Sequence, residues 1–325
     1  MPSRTDVVMP PLPKGYGSPF WYASLYSFKT FHQVPHATLA QFLRGTGLKP
    51  AVFVENGALR HDMGYVSIEF QSYTADLGMA LSTTNEVELN VVCYPEVDEE
   101  MVPELTLEEY LYGYEQQKRI GGFHVCVPAD NKVAVSAGIA FFGEPKFYAP
   151  FLANVPSPNN PSQKTTWTYT VCDPSYVIPT EPDAPPPPPD MIIYSLNGDL
   201  AGIQPSIGDP GSFILYGMLP GGKIVGEKMH TGSLIGNRWD VFSGYQTYIP
   251  TKDQQANIHL NYGRSNHPMR KIMQKLLGAA PAPAVAIQTY QTPPCAAESR
   301  AFYLKPHPGK KASATKKAAA KKEVG

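Results

Sequence analysis

Lys146 is the residue whose surroundings in the sequence favour covalent chemistry. It follows an apolar run and the turn Gly-Glu-Pro at 143–145, and the aromatic residues Phe147, Tyr148 and Phe151 come next. A lysine in this setting is either a surface residue, with its ammonium in water and its methylene chain on apolar neighbours, or a desolvated amine. Burial disfavours the charged form and lowers the pKa, and a neutral amine attacks a carbonyl carbon to form a Schiff base. Most lysines are of the surface kind, so the local pattern leaves both interpretations open.

Two glutamates are candidates to transfer protons beside this amine. Glu86 begins the segment 86–94, in which polar and apolar residues alternate, and Glu144 lies two residues before Lys146. If the polar face of segment 86–94 meets solvent, Glu86 is an ordinary surface carboxylate. If that face lines a pocket, a carboxylate a few ångströms from the amine can move protons to and from a bound intermediate. Glu86 is the first candidate and Glu144 is the second.

The segment 130–146, DNKVAVSAGIAFFGEPK, resembles the motif of the acetoacetate decarboxylase superfamily. In that family Asp-Asn is followed by an alanine, by Gly-Arg-Glu and by Gly-Phe-Pro-Lys-Lys, and the first lysine forms the Schiff base. The spacing fits this chain without a gap, so the resemblance implies that Lys146 is the catalytic lysine. A weaker match at 84–92, TNEVELNVV, implies that Glu86 is the catalytic glutamate. The resemblance extends over roughly residues 20–304.

The resemblance also implies a fold and an activity. The fold is α+β, mainly antiparallel β, closed into a barrel or cone with a few flanking helices. The activity is that of a cofactor-independent Schiff-base lyase that acts on a β-keto acid or a related carbonyl compound. No cofactor or metal is implied, the partner is a small keto-acid-like substrate, and the family resemblance implies a homo-oligomer.

This chain departs from the motif at two places. The family's Arg-Glu pair is replaced by Ile139-Ala140, and its second lysine, whose charge helps to depress the pKa of the first, is replaced by Phe147. We therefore expect desolvation by Phe142, Phe147 and Tyr148 to lower the pKa of Lys146 instead. Two alternatives remain: an aldolase or dehydratase that uses the same imine, and a non-catalytic small-molecule-binding protein with the same fold.

Other sites of known sequence pattern are absent. The chain contains no phosphate-binding loop, no dinucleotide-binding GxGxxG, no GxSxG elbow and no HExxH. His32 and His36 are four residues apart, but Pro35 lies between them, so we predict ordinary loop histidines rather than metal ligands. The four cysteines form no CxxC pair, and neither a signal peptide nor an apolar run of membrane-spanning length is recognisable. These features predict reduced thiols, no membrane contact and a cytoplasmic location.

The composition predicts a folded body and a separate tail. The 325 residues are 42% hydrophobic and 17% charged, and 34 prolines with 27 glycines exclude a helical bundle. The net charge of −1 combines a strongly basic segment, residues 309–325 with six lysines and one glutamate, and a body at 1–308 with a net charge of −6. We predict one domain at 1–308 and a disordered tail at 309–325 that contacts polyanions.

Strands are predicted to outnumber helices. Tyr65–Tyr73 and Glu86–Tyr94 alternate clearly, which is typical of half-buried strands. The other predicted strands are Phe123–Val127, Val133–Phe142, Trp167–Cys172, Met191–Leu196, Ser212–Leu219, Tyr245–Ile249, Val285–Tyr290 and Arg300–Leu304. The predicted helices are Ala37–Arg44, Leu107–Arg119 with a capping box, and Pro268–Leu277.

Overall fold

A computed structural model describes residues 9–11, 13–76, 81–156, 165–181, 183–209, 211–242, 244–292 and 296–304, with the backbone alone at 81–82, 291–292 and 296–297. The predicted tail at 309–325 and the domain boundary after residue 308 lie outside the described residues and stay predictions. None of the described helices is long and apolar enough to cross a membrane.

The described residues form nineteen strands, rich in β-branched and aromatic side chains. In chain order they are β1 (Phe20–Pro35), β2 (Leu48–Pro50), β3 (Val54–Glu55), β4 (Ala58–Leu59), β5 (Met63–Asp76), β6 (Leu81–Pro95), β7 (Gly121–Ala129), β8 (Lys146–Tyr148), β9 (Phe151–Asn154), β10 (Thr166–Cys172), β11 (Ile192–Asp199), β12 (Pro205–Gly208), β13 (Ser212–Leu219), β14 (Ser233–Val241), β15 (Tyr245–Tyr248), β16 (Ile258–Tyr262), β17 (Ala284–Thr292), β18 (Ala296–Glu298) and β19 (Phe302–Tyr303).

The helices are fewer and shorter. They are α1 (His36–Phe42), α2 (Leu107–Leu111), α3 (Lys132–Phe142) and α4 (Pro268–Leu277), with short 3₁₀ turns at Glu96–Met101, Pro189–Met191 and Gln254–Asn257. The predicted α+β class, mainly antiparallel β with a few helices, is confirmed.

One mixed sheet contains thirteen of the strands and most of its pairings are antiparallel. The strands β1, β5, β6 and β7 are successive antiparallel neighbours, and β7 pairs in parallel with β8 and β13. From β13 the pairing continues to β14 and then to β18, which also pairs with the first residues of β1. A series of paired strands that starts at β1 and continues with β5 therefore comes back to β1 through β18. A separate sheet has the order β16-β11-β10-β9.

Both faces of β5 and β6 are buried, where the alternating pattern predicted half-buried strands. Six residues of the polar faces are at most 5% exposed, namely Ser67, Glu69, Gln71, Glu86, Glu88 and Asn90. Buried polar groups need hydrogen-bond partners, and these side chains find several in one another, for example Gln71 and Asn90, whose amide nitrogens donate to the two oxygens of Glu88. The interpretation of Glu86 as a surface carboxylate is therefore wrong.

The segment Val133–Phe142, predicted as a strand, is the helix α3. Asn131 caps its N-terminus, because its side-chain oxygen accepts hydrogen bonds from the backbone N–H groups of Val133 and Ala134. Gly143 ends the helix in the left-handed conformation, with φ of 63°. The β-branched Val133 and Val135 favoured a strand by their spacing, but the capping signals at both ends prevail.

The other predicted helices are found with different accuracy. The bounds of α4 are those predicted, although its N-cap is His267 rather than Ser265 or Asn266. The capping box of Thr106 and Glu109 is present at the start of α2. This helix ends at Leu111 rather than Arg119, since Gly113, just beyond the C-cap residue Tyr112, adopts a φ of 87°.

Asn131→Ala is expected to lower the free energy of unfolding by about 1 kcal/mol, because two backbone N–H groups at the start of α3 lose their acceptor. Asn131→Asp keeps an accepting oxygen and is expected to stay near the wild type. Urea denaturation followed by circular dichroism measures both variants. Equal losses in the two variants would contradict a capping role.

Candidate active site

The structure brings together the three residues that the sequence singled out. Lys146 is the first residue of β8, and its side chain is only 5% exposed. Its Nζ atom lies 2.8 Å from Glu86 Oε2 and 3.0 Å from Glu144 Oε2. Both carboxylates are buried to the same degree as the lysine. One ammonium is thus shared by two carboxylates inside the protein.

The strand register explains why Glu86 and Lys146 meet. On one side of β7, Glu86 pairs with Ala129, and on the other side Lys146 pairs with Val127. Residues two apart on a strand point to the same face, and paired residues share that face. The two side chains therefore rise from the same side of the sheet across β7, and the long lysine chain covers the distance between the strands.

Lys146 lines a narrow cleft of about 390 Å³, a volume that includes the part open to solvent. Tyr73 reaches into it and donates a hydrogen bond from its hydroxyl to Glu86 Oε2 at 2.8 Å. Aromatic side chains form much of the remaining wall, namely Phe20, Tyr22, Phe142 and Trp239. Aromatic side chains and carboxylates therefore line the same cleft.

The aromatic surroundings of Lys146 differ from those predicted. Phe142 lines the cleft, as expected. Phe147 points to the opposite face of β8 and stacks on His267, with ring centroids 4.4 Å apart. Tyr148 is 38% exposed. Two of the three aromatic residues expected to desolvate the amine therefore do not line the cleft.

The pKa of Lys146 moves in the direction opposite to that expected. Burial by itself lowers the pKa, but the negative charges of Glu144 and Glu86, with the hydrogen bond to Glu86, raise it well above its ordinary value. In the resting protein Lys146 is therefore an ammonium ion. The expectation of a neutral resting amine is wrong because the motif does not reveal that two carboxylates contact the amine.

Two further carboxylates line the cleft, and sequence analysis did not identify them. Glu88 lies two residues after Glu86 on β6 and lines the same cleft. Burial, with the charges of Glu69 and Glu86, raises the pKa of Glu88 to about 8. Glu298 of β18 accepts hydrogen bonds from Tyr22 at 3.1 Å and from Asn237 at 2.6 Å. Burial, with the charge of Glu144, raises its pKa well above the ordinary value.

The signal for Glu88 was present in the sequence, because it shares the polar face of segment 86–94 with Glu86. Glu298 offered no comparable signal, since its position depends on the pairing of β18 with β1 and β14.

The prediction that His32 and His36 are loop histidines is wrong, because His32 lies within β1 and His36 is the first residue of α1. His32 bonds the Ala282 carbonyl at 2.7 Å and the Thr30 hydroxyl at 2.9 Å, and burial lowers its pKa to about 4. His36 begins α1. Within the part of the chain that the structure describes, no three side chains of His, Cys, Asp or Glu are placed to hold a metal ion.

The stability of the fold is expected to decrease as pH rises from 6.5 to 8. Folding raises the pKa of Glu88 from 4.5 to about 8, so the native protein holds a proton that the unfolded chain releases. The resulting stabilisation is complete below pH 4.5 and is lost as pH approaches 8. His32 and His124, with pKa values lowered from 6.5 to about 4, act in the opposite sense only at lower pH.

Chemical denaturation at several pH values measures this loss, which we expect to be on the order of 1 kcal/mol. Glu88→Gln should make the profile above pH 6.5 less steep, with the remaining slope due to Glu86 and Glu298, whereas Glu104→Gln, at an exposed carboxylate, should leave it unchanged. A Glu88→Gln profile as steep as that of the wild type would contradict the protonated state of Glu88.

Gly138→Ala is expected to disturb the site, because the new Cβ would overlap the carboxylate of Glu144 and lie 2.5 Å from Lys146 Cδ. Overpacking of this kind costs about 1–3 kcal/mol. Ser136→Ala, at an exposed position of the same helix, is the matched control. Thermal unfolding compares the two, and equal melting temperatures would show that the site tolerates the added methyl group.

Comparisons by sequence identify no relative: no family model matches the chain, and no curated protein is recognisably similar to it. Comparison of structures does find similar proteins. An acetoacetate decarboxylase-like enzyme from Sphingomonas wittichii RW1 matches over 89% of this chain and 93% of its own, with a TM-score of 0.51 and 13% identity. Acetoacetate decarboxylase from Legionella pneumophila matches over 94% and 92%, with a TM-score of 0.53 and 10% identity.

The enduracididine biosynthesis enzyme MppR is also similar. Its structure with the condensation product of pyruvate and imidazole 4-carboxaldehyde matches over 94% of this chain and 100% of its own, with a TM-score of 0.54 and 11% identity. These likenesses confirm, at the level of fold, the resemblance inferred from the motif at 130–146. At so low a sequence identity these matches show the fold and not the activity. The chain has the acetoacetate decarboxylase-like fold.

Proposed function

We propose that this chain is a cofactor-independent enzyme in which Lys146 forms an imine with a small carbonyl compound. The observation that carries the proposal is the buried contact of Lys146 Nζ with Glu86 and Glu144, at the position where the motif predicts a Schiff-base lysine. The structural likeness to acetoacetate decarboxylase-like enzymes supports the same chemistry. The reaction we favour is loss of carbon dioxide from a β-keto acid, within a closed, cone-like barrel that the pairings of β18 with β1 and β14 support.

The first step is the release of a proton from the Lys146 ammonium. Glu86 Oε2, at 2.8 Å, is the acceptor, and burial raises the pKa of this carboxyl although the charge of Lys146 opposes the rise. In a site with little water, a neutral amine beside a neutral acid competes better with the ion pair than it does in water. The arriving substrate displaces the remaining solvent and favours this neutral pair.

The neutral amine then attacks the ketone carbon. Protonation of the carbinolamine oxygen by Glu86 releases water and leaves a protonated imine, which draws electrons from the bond to the carboxylate. Carbon dioxide leaves, the bonding pair forms an enamine, and an acid of the cleft protonates its carbon. Water hydrolyses the resulting imine, which frees the ketone and restores the amine.

Glu88 and Glu298 supply the recognition of an anionic substrate. Both have raised pKa values, so a protonated carboxyl group is present to donate a hydrogen bond to a substrate carboxylate. The narrow cleft and its aromatic wall favour a small substrate.

A second candidate is an aldolase or dehydratase that uses the same imine. Its support is the likeness to MppR, whose structures contain pyruvate and a condensation product of pyruvate. Several buried carboxyl groups around one lysine would also serve the successive proton transfers of an aldol condensation.

A third candidate is a non-catalytic protein that binds small molecules. Its support is the raised pKa of Lys146, which keeps the amine protonated at rest, together with Phe147 in place of a second lysine. In this hypothesis the ammonium binds the ligand by charge alone.

Reductive trapping separates the catalytic candidates from the third. Incubation with acetoacetate or pyruvate and borohydride is expected to add the mass of the reduced imine to the wild type, because borohydride makes the bond to Nζ permanent. Lys146→Arg should show no adduct, since arginine keeps the positive charge between the two carboxylates but forms no imine. Peptide mass analysis locates the modified residue.

The matched control is Lys29→Arg, because Lys29 Nζ also contacts a buried carboxylate, that of Glu69, at 2.9 Å. This variant should trap as the wild type does. Absence of any adduct in the wild type, or an adduct that persists in Lys146→Arg, would exclude Schiff-base chemistry at Lys146. Release of carbon dioxide from acetoacetate distinguishes decarboxylation from condensation.

A further inference from the structure

A second cavity lies behind the segment that carries Lys146. It holds about 590 Å³ of empty space and is lined by His124, by Gly143 and Pro145, and by part of segment 220–231. Along residues 143–146 the lining alternates, since Glu144 and Lys146 face the first cleft while Gly143 and Pro145 face the second cavity. A single chain segment therefore separates the two spaces. Lys223 and Met229, which line the second cavity, are exposed, so it reaches solvent.

His124 stands at this wall in an unusual state. Its side chain is fully buried, and neither ring nitrogen has a hydrogen-bond partner among the described residues. Buried polar atoms are nearly always paired, and exceptions often have a functional role or bind water. Its Nε2 atom lies 3.8 Å from Glu144 Oε1, the carboxylate whose other oxygen contacts Lys146 Nζ. This separation is longer than a hydrogen bond, as is often so for proton-transfer groups before substrate binds.

We propose that His124 relays protons between Glu144 and water in the second cavity, and so connects the buried Lys146 amine to solvent. The relay rests on the proposed function, which requires Lys146 to lose and regain a proton. A proton passes from Lys146 Nζ to Glu144 and then to one ring nitrogen of His124. The other ring nitrogen is closed off from water in the resting structure, so the ring turns toward the cavity before this nitrogen releases a proton to a water molecule there. The return transfer reverses these steps.

The charges around His124 suit this role. Burial lowers its pKa to about 4, so the resting ring is neutral, with one nitrogen free to accept and the other to donate. The negative charges of Glu144 and Glu69 raise the pKa of the ring, and the positive charges of Lys146 and Lys29 lower it. Toward the cavity the titratable groups are Lys223 and His230, and toward β6 the neighbour is the uncharged Asn90.

Hydrogen exchange at Lys146 tests the relay without any substrate. The rate at which the Lys146 ammonium exchanges its hydrogens with water is measured by nitrogen NMR on protein labelled at lysine Nζ, and Lys146→Arg identifies the signal. His124→Phe should slow this exchange by on the order of tenfold to a hundredfold, since a positioned proton-transfer group contributes at least this much. The Lys29 ammonium, in the same spectrum, should be unaffected.

Chemical rescue separates a relay from a merely structural role. His124→Ala leaves a space beside the second cavity, and added imidazole should restore the exchange rate at Lys146. His32→Ala, at a buried histidine with both ring nitrogens bonded, should show no such response. If His124→Phe disturbs the fold, His124→Gln, which keeps a polar group of similar size, is the second variant in which hydrogen exchange at Lys146 should be slow.

Exchange at the wild-type rate in folded His124→Phe or His124→Gln would overturn the relay, and so would a failure of imidazole to restore the rate in His124→Ala. These results are independent of the trapping experiment. Slowed exchange with no borohydride adduct would retain the relay and exclude the Schiff base, whereas an adduct with unchanged exchange would retain the Schiff base and exclude the relay.

Discussion

The contact of one buried ammonium with two buried carboxylates is the interaction on which the rest of the site depends. The charges of Glu86 and Glu144 offset the cost of burying the Lys146 ammonium, and the charge of Lys146 in turn favours the ionised form of Glu86. The strand β7 places the lysine and Glu86 on one face, and Gly138 leaves room for the Glu144 carboxylate. The fold around the site therefore serves mainly to keep this cluster together and away from water.

The cluster also stores protons, because it contains more carboxyl groups than positive charges. Glu88 and Glu298 share the cleft with the central three residues, and burial raises the pKa of both. Their protons are available where a reaction intermediate would need an acid. The raised pKa of Lys146 has a different main cause, because burial lowers it and the negative charges of Glu144 and Glu86 more than offset that effect.

The sequence contained the information for the centre of this cluster but not for its surroundings. The spacing from Asp130 to Lys146 and the alternation that begins at Glu86 are local patterns, and both residues are found together in the cleft. Trp239 and Glu298 enter it through the pairing of β14 with β18, which no local pattern reveals.

The predicted strand at Val133–Phe142 is wrong because the cap at Asn131 and the left-handed Gly143 outweigh the strand preference of the β-branched residues. The strand β1, central to the sheet, was missed because its polar and apolar residues do not alternate regularly.

Neutron diffraction tests the central claim most directly, because it locates the hydrogens that decide the charge of each group. For the resting protein near neutral pH, the account predicts three deuterons on Lys146 Nζ and a deuteron on the Glu88 carboxyl group. A Lys146 amine with two deuterons, or a Glu88 carboxylate without one, would contradict a site built on a shared ammonium and stored protons.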